Sequence, residues 1–281
     1  MKITILVDNN DGHDPAGAPL KGEWGLSFYI EYNGRNILLD AGLSGLFAEN
    51  AAKLGIDLGK VDYAVLSHAH DDHANGMDTF FELNSRAPLY VADGCEENCY
   101  DFENGSYRYA GIPRGILSRH RDRIIRACGD EYIDEGIRLL GHTTPELDKL
   151  GLAENMFLLK ETGEDAPVFI PDDFSHEQSL VFELPEGIVI FNSCSHAGAD
   201  NIVNEVTEVY PGRKVLAMIG GFHLFNKTDD YVRAFASRLG NTGAESIVTG
   251  HCTGDKALGI LKEILGDKVI PMETGLVLEI R

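Results

Sequence analysis

Short apolar runs punctuated by Gly, Asp and Asn recur along the whole chain. Residues 3–7, 26–32, 36–40, 61–67, 88–92, 156–160, 178–184, 187–192, 214–219, 246–249 and 275–280 have the length and composition of strands. Between them, residues 43–54, 73–83, 199–210, 229–239 and 255–265 carry apolar positions at helical spacing. Thr228 and either Thr253 or Asp255 are candidate N-caps, and Gly55, Gly240 and Gly266 are candidate helix stops. The pattern predicts an α/β protein. Its first half opens with adjacent strands and then alternates strand with helix. From about residue 178 the chain repeats those events, with two adjacent strands followed by three strand-helix alternations. Two such halves packed face to face predict a layered sandwich. Residues 93–150 are weakly periodic and rich in Arg, Tyr and Gly, and they read as an insertion or lid. With no Pro/Ser-rich linker in the sequence, one domain over 1–281 is expected.

Composition narrows the class. At 281 residues the chain is long enough to bury roughly three quarters of its unfolded surface, and 43% hydrophobic with 25% charged residues is the balance of a packed globular protein. The net charge of −21 repels nucleic-acid phosphates and anionic membranes, so neither is an expected partner. No run approaches 18 uncharged apolar residues, and the apolar start ends at Asp8 without a cleavage pattern. Five scattered cysteines are an odd number and argue against a disulfide framework, which predicts a cytoplasmic protein. Nothing in the sequence fixes the oligomeric state.

The chemistry concentrates in Ser67-His68-Ala69-His70-Asp71-Asp72-His73, directly after the strand at 61–66. Residues i and i+2 leaving a strand project to the same side, so His68 and His70 can grip one metal ion. Asp72 and His73, turning into the next helix, can face a second. Other strand ends carry further candidates: Asp40 in Leu-Leu-Asp-Ala-Gly, His196 in Cys-Ser-His-Ala-Gly, His223 in Gly-Gly-Phe-His-Leu and His251 in Gly-His-Cys-Thr-Gly. Carboxyl ends of sheet strands are where α/β architectures build sites.

In their order along the chain, Asp40, the 68–73 motif, His196 and His251 resemble the metallo-β-lactamase superfamily over nearly the whole length. Within it, Cys194–Gly198, Gly220–Leu224, Gly250–Gly254 and Asp172-Asp173-Phe174 before Glu177-Gln178 are similar to the branch named for 7,8-dihydropterin-6-ylmethyl-4-(β-D-ribofuranosyl)aminobenzene 5'-phosphate synthase. The resemblance implies a four-layer αββα sandwich, with His68, His70 and His196 on one metal ion and Asp72, His73 and His251 on another. Asp40 would orient a ligand histidine from behind. Two departures stand out. Trp24 occupies a place where that branch often has a histidine, and Gly220-Gly221-Phe222-His223 replaces the usual bridging Asp.

Two divalent ions, zinc first with manganese or iron as alternatives, would then carry a surplus positive charge and draw in a small anionic substrate. The leading expectation is a dinuclear metal-dependent hydrolase acting on an anionic molecule, a phosphate ester foremost, through a metal-bound hydroxide. Asp72 and His223 are the expected catalytic side chains, His223 binding or protonating the leaving oxygen. Arg108, Arg114, Arg119 and Arg121 are candidates to complete an anion pocket. A dihydropterinylmethyl transferase that displaces diphosphate, and a non-catalytic metal or ligand sensor, are the alternatives. Cys194 and Cys252 read as small packing residues, with an auxiliary thiolate ligand as the other possibility. Cys95 and Cys99 lack a nearby second pair, which argues against a structural zinc there.

Overall fold

Two seven-stranded sheets lie face to face in the computed structural model, which describes residues 1–163 and 165–281. The first sheet runs in the order Ile124–Ala127, Leu89–Ala92, Tyr63–Val65, Arg35–Leu39, Ser27–Tyr32, Lys2–Val7 and Val277–Glu279. The second runs Asp130–Asp134, Ile137–Gly141, Gln178–Leu184, Gly187–Phe191, Val215–Ile219, Ser246–Thr249 and Val269–Pro271. Each joins antiparallel neighbours to parallel strands connected through helices.

Side-chain alternation along these strands builds the layers. In the second sheet Leu180, Phe182, Val189, Phe191, Ala217, Ile219 and Val248 point to the first sheet, where Ile3, Ile5, Phe28, Ile30, Ile37, Leu39 and Val65 meet them. The residues between, Val181, Ile188, Ile190, Met218 and Ile247, point outward and are covered by helices Ala199–Val209, Asp229–Asn241 and Asp255–Leu265. On the other outer face Leu6, Tyr29, Leu38 and Ala64 pack under Phe47, Ala51, Met77 and Phe80 of the helices that follow the first-sheet strands. A period of two with both phases apolar is what a sheet buried on both faces requires. The four-layer αββα arrangement follows from it.

Several local expectations are redrawn. The helix expected at 73–83 is two, Asp71–Ala74 and Met77–Leu83, parted at Gly76. A Cβ on Gly76 would lie 2.1 Å from the Ala41 carbonyl oxygen, so the chain uses the glycine for close approach. Gly240 lies inside helix Asp229–Asn241 and does not end it. The last helix starts from Gly254, because the Thr253 hydroxyl is taken by the Phe222 N–H and Thr249 and Asp255 is already helical. Thr228 does cap its helix, accepting the Tyr231 N–H. The 93–150 segment is divided between the layers: Ile124–Ala127 extends the first sheet and Asp130–Asp134 with Ile137–Gly141 extends the second. What projects is a separate four-stranded sheet of Cys99–Glu103, Ser106–Tyr109, Met156–Thr162 and Asp165–Pro171.

Candidate metal centre

Strand ends from both sheets converge at one edge of the sandwich. Asp40 follows Arg35–Leu39, the 67–73 loop follows Tyr63–Val65, and residues 193–198, 220–223 and 250–252 follow three strands of the second sheet. At four of these turns a non-glycine residue holds a left-handed backbone: Asp40, Ser195, His223 and His251, with φ of 59°, 54°, 47° and 48°. Such conformations are uncommon for non-glycine residues and gather where surrounding contacts fix a functional side chain.

His73, His251 and Asp72 form one nest. His73 Nδ1 lies 2.8 Å from Asp40 Oδ2, which turns Nε2 inward. His251 Nδ1 lies 3.0 Å from Asn9 Oδ1, which does the same for that ring. The two Nε2 atoms are 3.2 Å apart, and they sit 3.6 and 3.3 Å from the Asp72 carboxylate. Cys194 Sγ is also 3.2 Å from His73 Nε2. One N–H cannot serve three partners at once. A cation at their centre satisfies all of them, and bonds of 2.0–2.3 Å in tetrahedral geometry set ligand atoms about 3.3–3.6 Å apart. Burial lowers the basicity of His73, but the carboxylates of Asp72 and Asp40 outweigh it and bring its pKa up to about 9. Burial raises Asp72, yet His73 and His251 hold it well below the usual carboxylate range. The nest therefore has a positive charge to accommodate, as a proton or as the metal ion that displaces it.

His68, His70 and His196 form the other nest, with ring centroids 4.6, 5.1 and 5.3 Å apart. Ser67 Oγ engages His68 Nδ1 at 2.8 Å, leaving the buried Nε2 without a partner, and neither ring nitrogen of the buried His196 has one. Burial and neighbouring imidazoles push both rings well below the ordinary histidine range. Neutral imidazoles with unpartnered nitrogens facing one another are a donor set suited to a metal ion, since a buried polar atom left alone costs about 1–3 kcal/mol.

A cavity of about 310 Å³ opens over both nests and is lined by His70, Asp72, Cys194, His196, His223 and Trp24 among others. Two roomier hollows, of about 730 and 880 Å³, are lined by none of these imidazoles. All eight residues expected from the sequence are thus brought together: His68, His70, Asp72, His73, His196 and His251 around the nests, Asp40 behind His73, and His223 on the cavity wall, its ring 4.6 Å from His196. His223 Nε2 is 3.6 Å from Glu154, which also pairs with Lys227. Trp24 packs on His251 and Phe225, with centroids at 5.3 and 5.5 Å.

The expected arginine pocket does not form as such. Arg108 alone of the four lines the cavity, and it is paired with Asp101 and Asp71. Arg114 stacks on Tyr109, Arg119 is held by Asp78, and Arg121 lies by Asp122 in solvent. Long cationic side chains in an acidic chain find local carboxylates first.

Other residues of the site had no role assigned from the sequence, although Asp172 and Glu177 belong to the branch-like motif at 172–178. Asp8 accepts the His251 N–H at 2.8 Å, and Glu177 accepts the N–H groups of His196 and Ala197, fixing the two distal loops. Asp172 lies 3.8 Å from His70 Nε2 and 3.0 Å from His176 Nε2. Cys99, expected to stand alone, meets His70, Asp172 and His176 across the fold.

The match to known proteins agrees with this geometry. The profile of the metallo-β-lactamase superfamily matches residues 25–191. A 7,8-dihydropterin-6-methyl-4-(β-D-ribofuranosyl)-aminobenzene-5'-phosphate synthase of Methanocaldococcus jannaschii is 27% identical, over 94% of this chain and 91% of its own length. The crystal structure of Tm1679, described as a metal-dependent hydrolase of the β-lactamase superfamily, superposes with a TM-score of 0.81 at 27% identity, covering 100% of this chain and 99% of the other. YhfI from Bacillus subtilis shares the fold, with a TM-score of 0.58 at 13% identity and coverage of 99% and 98%. With its strand-end imidazoles and carboxylates and a profile match over more than half its length, the chain belongs to the metallo-β-lactamase superfamily and is a metal-dependent enzyme of that fold.

Proposed function

We propose that the protein is a dinuclear metal-dependent hydrolase of a small anionic substrate, a phosphate ester foremost. The observation that carries the reading is the pair of adjacent buried nests whose inward nitrogens have no partner sufficient for them. His68, His70 and His196 would hold one ion, and Asp72, His73 and His251 the other. When bound, such a pair supplies Lewis acidity for an ester oxygen and an activated water at neutral pH. Zinc fits the nitrogen-rich set, and manganese or iron is also compatible with it.

The chain's own residues position and move protons. Asp40 and Asn9 fix the tautomers of His73 and His251, so that the two Nε2 lone pairs face the centre. His223, on the wall with Glu154 behind its ring, is placed to hold the leaving oxygen and give it a proton. Trp24 and Phe225 pack against each other and give one side of the cavity an apolar surface.

A second reading is supported by the methanogen relative, named as a synthase. In it the anionic end of a diphosphate substrate occupies the same cavity and an aromatic acceptor, not water, attacks the carbon it leaves. Metal analysis of zinc- or manganese-reconstituted protein, followed by a panel of phosphomonoesters, phosphodiesters and a pterin diphosphate with and without acceptor, tests both. About two ions per chain and ester turnover abolished by His68→Ala and by His251→Ala are expected. Fewer than one ion per chain overturns the metal centre, diphosphate release only with acceptor selects the transferase, and tight binding without turnover selects a sensor.

A further inference from the structure

Between the two nests lies a sulfur atom that the mechanism above leaves unused. Cys194 Sγ falls within ligand-pairing distance of the donor atoms of His68 and His196 on one side and of His73 and His251 on the other. We infer that the Cys194 thiolate is a metal ligand shared by both nests, an inference that rests on the metal-centre reading above.

The distances support it. Around the second nest, the His73–His251, His251–Asp72 and His73–Asp72 separations of 3.2, 3.3 and 3.6 Å are the edges of a tetrahedral ligand set, and the Cys194–His73 separation of 3.2 Å supplies a fourth vertex. A lone N–H on His73 would have to be shared among the other three, whereas an ion bonds each of them. The sulfur is held in place from behind. Asn192 Oδ1 accepts the Ser195 N–H at 2.7 Å, Ser195 itself is left-handed, and Glu177 grips the next two N–H groups. This turn aims Cys194 and His196 at the same cavity.

The neighbouring thiol plays another part. Cys252 Sγ lies 3.4 Å from Cys194 Sγ and accepts the His223 N–H, and its S–H can donate to the Cys194 sulfur. Gly221 makes room for it, since a Cβ there would lie 2.5 Å from Cys252 Sγ. The sulfur-imidazole cluster of Cys99 with His70, Asp172 and His176 differs in kind: His176 Nε2 is bonded to Asp172 and its Nδ1 accepts the Ala69 N–H, so neither nitrogen of that ring is unpartnered. A thiolate between the nests lowers their net positive charge by one and turns the preference away from manganese or magnesium toward zinc, cobalt or iron.

Cobalt(II) loading tests the assignment with a readout separate from activity. Cobalt content counts the ions, and a thiolate-to-cobalt charge-transfer band in the near ultraviolet reports sulfur ligation. Wild type should show the band in proportion to bound cobalt. Cys252→Ser should keep it, and Cys194→Ser should lose it and bind cobalt at least tenfold more weakly. X-ray absorption of the zinc-loaded wild type, which needs no variant, should show a sulfur shell at about 2.3 Å. Full cobalt loading without the band, a zinc spectrum without sulfur, or a band that survives Cys194→Ser overturns the inference. A wild type that takes up no cobalt overturns the metal-centre reading instead.

Discussion

Asp40→Asn changes the hydrogen bonding at the metal centre while keeping its shape. The wild-type carboxylate is fully buried and accepts from the Ser67 N–H and hydroxyl, both at 2.7 Å, and from His73 Nδ1 at 2.8 Å. An amide has one accepting oxygen and two donors. With its oxygen toward the Ser67 N–H, its nitrogen takes the place of Oδ2, facing the Ser67 hydroxyl and His73 Nδ1, and meets the imidazole donor to donor unless the ring proton moves to Nε2. That proton would point at Asp72, His251 and Cys194 and block the lone pair a metal needs. Turned the other way, the amide confronts the Ser67 N–H. Either conflict costs about 1–3 kcal/mol in a buried site, and at 1.4 kcal/mol per factor of ten this matches the ~10–100-fold loss of metal affinity typical when the partner of a ligand histidine is removed. Competition titration with a chromophoric chelator, with elemental analysis of the dialysed protein, should show one site weakened by that factor and the other retained. Ser67→Ala, which keeps the carboxylate on His73 but removes the Oγ partner of His68 Nδ1, should weaken the other site instead. Wild-type affinity at both sites in Asp40→Asn, with the variant folded, refutes the argument that Asp40 fixes the tautomer of His73.

Three further outcomes follow from the same structure. Phe191→Ala empties the aromatic cluster between the sheets, where Phe191 meets Phe28 and Phe182 at 5.5 and 5.7 Å, and should cost about 3–5 kcal/mol, read as a fall in thermal midpoint of about 6–20 °C. Of the five thiols Cys128 alone is exposed, and burial pushes Cys95 up to about 12, so a thiol reagent should modify one cysteine rapidly in the native protein and five after denaturation. Burial raises the Tyr29 phenol from its ordinary value to about 12 and raises Tyr109 and Tyr210 as well; a raised folded-state pKa means stability that is complete below about 10 and lost as pH climbs through about 12. Tyrosinate absorbance from these residues should therefore appear together with loss of circular dichroism, and early titration in a folded protein would refute it.

The layers and the clustering of the candidate ligand histidines were legible because their signals are local. The two apolar phases of residues 187–191 and 215–219 read directly as a sheet covered on both faces, and His68 to His73 form one contiguous motif. The distal candidates His196 and His251 were readable because each closes an apolar run. What supports them was not: Asn9 and Asp8 reach His251 from the other end of the chain, and Asp172 reaches His70 from beyond the projecting sheet. No periodicity or spacing links such pairs. The arginines of the 93–150 segment misled for the converse reason, since their carboxylate partners Asp78, Asp101 and Asp71 are common residues in an acidic chain. Cys194 read as packing because a lone cysteine after a strand carries no ligand signal until the fold sets it between two groups of imidazoles.

Charge then ties the centre to the kind of molecule it takes. Apart from the nests, the cavity presents Asp71, Asp101, Glu103 and Glu154 against Arg108, with Lys227 paired to Glu154 from outside its wall, inside a protein of net charge −21. Such a lining alone repels anions. Under the proposed function, attraction for a phosphate-like group would have to come from ions held in the nests, whose field is strongest within the first few ångströms. Affinity and reactivity are joined in this arrangement. On the proposed function, an anionic ester would be held where bound ions polarise its oxygen and beside His223, which lines the wall. The surrounding acidic wall would then favour release once the product carried an additional negative charge.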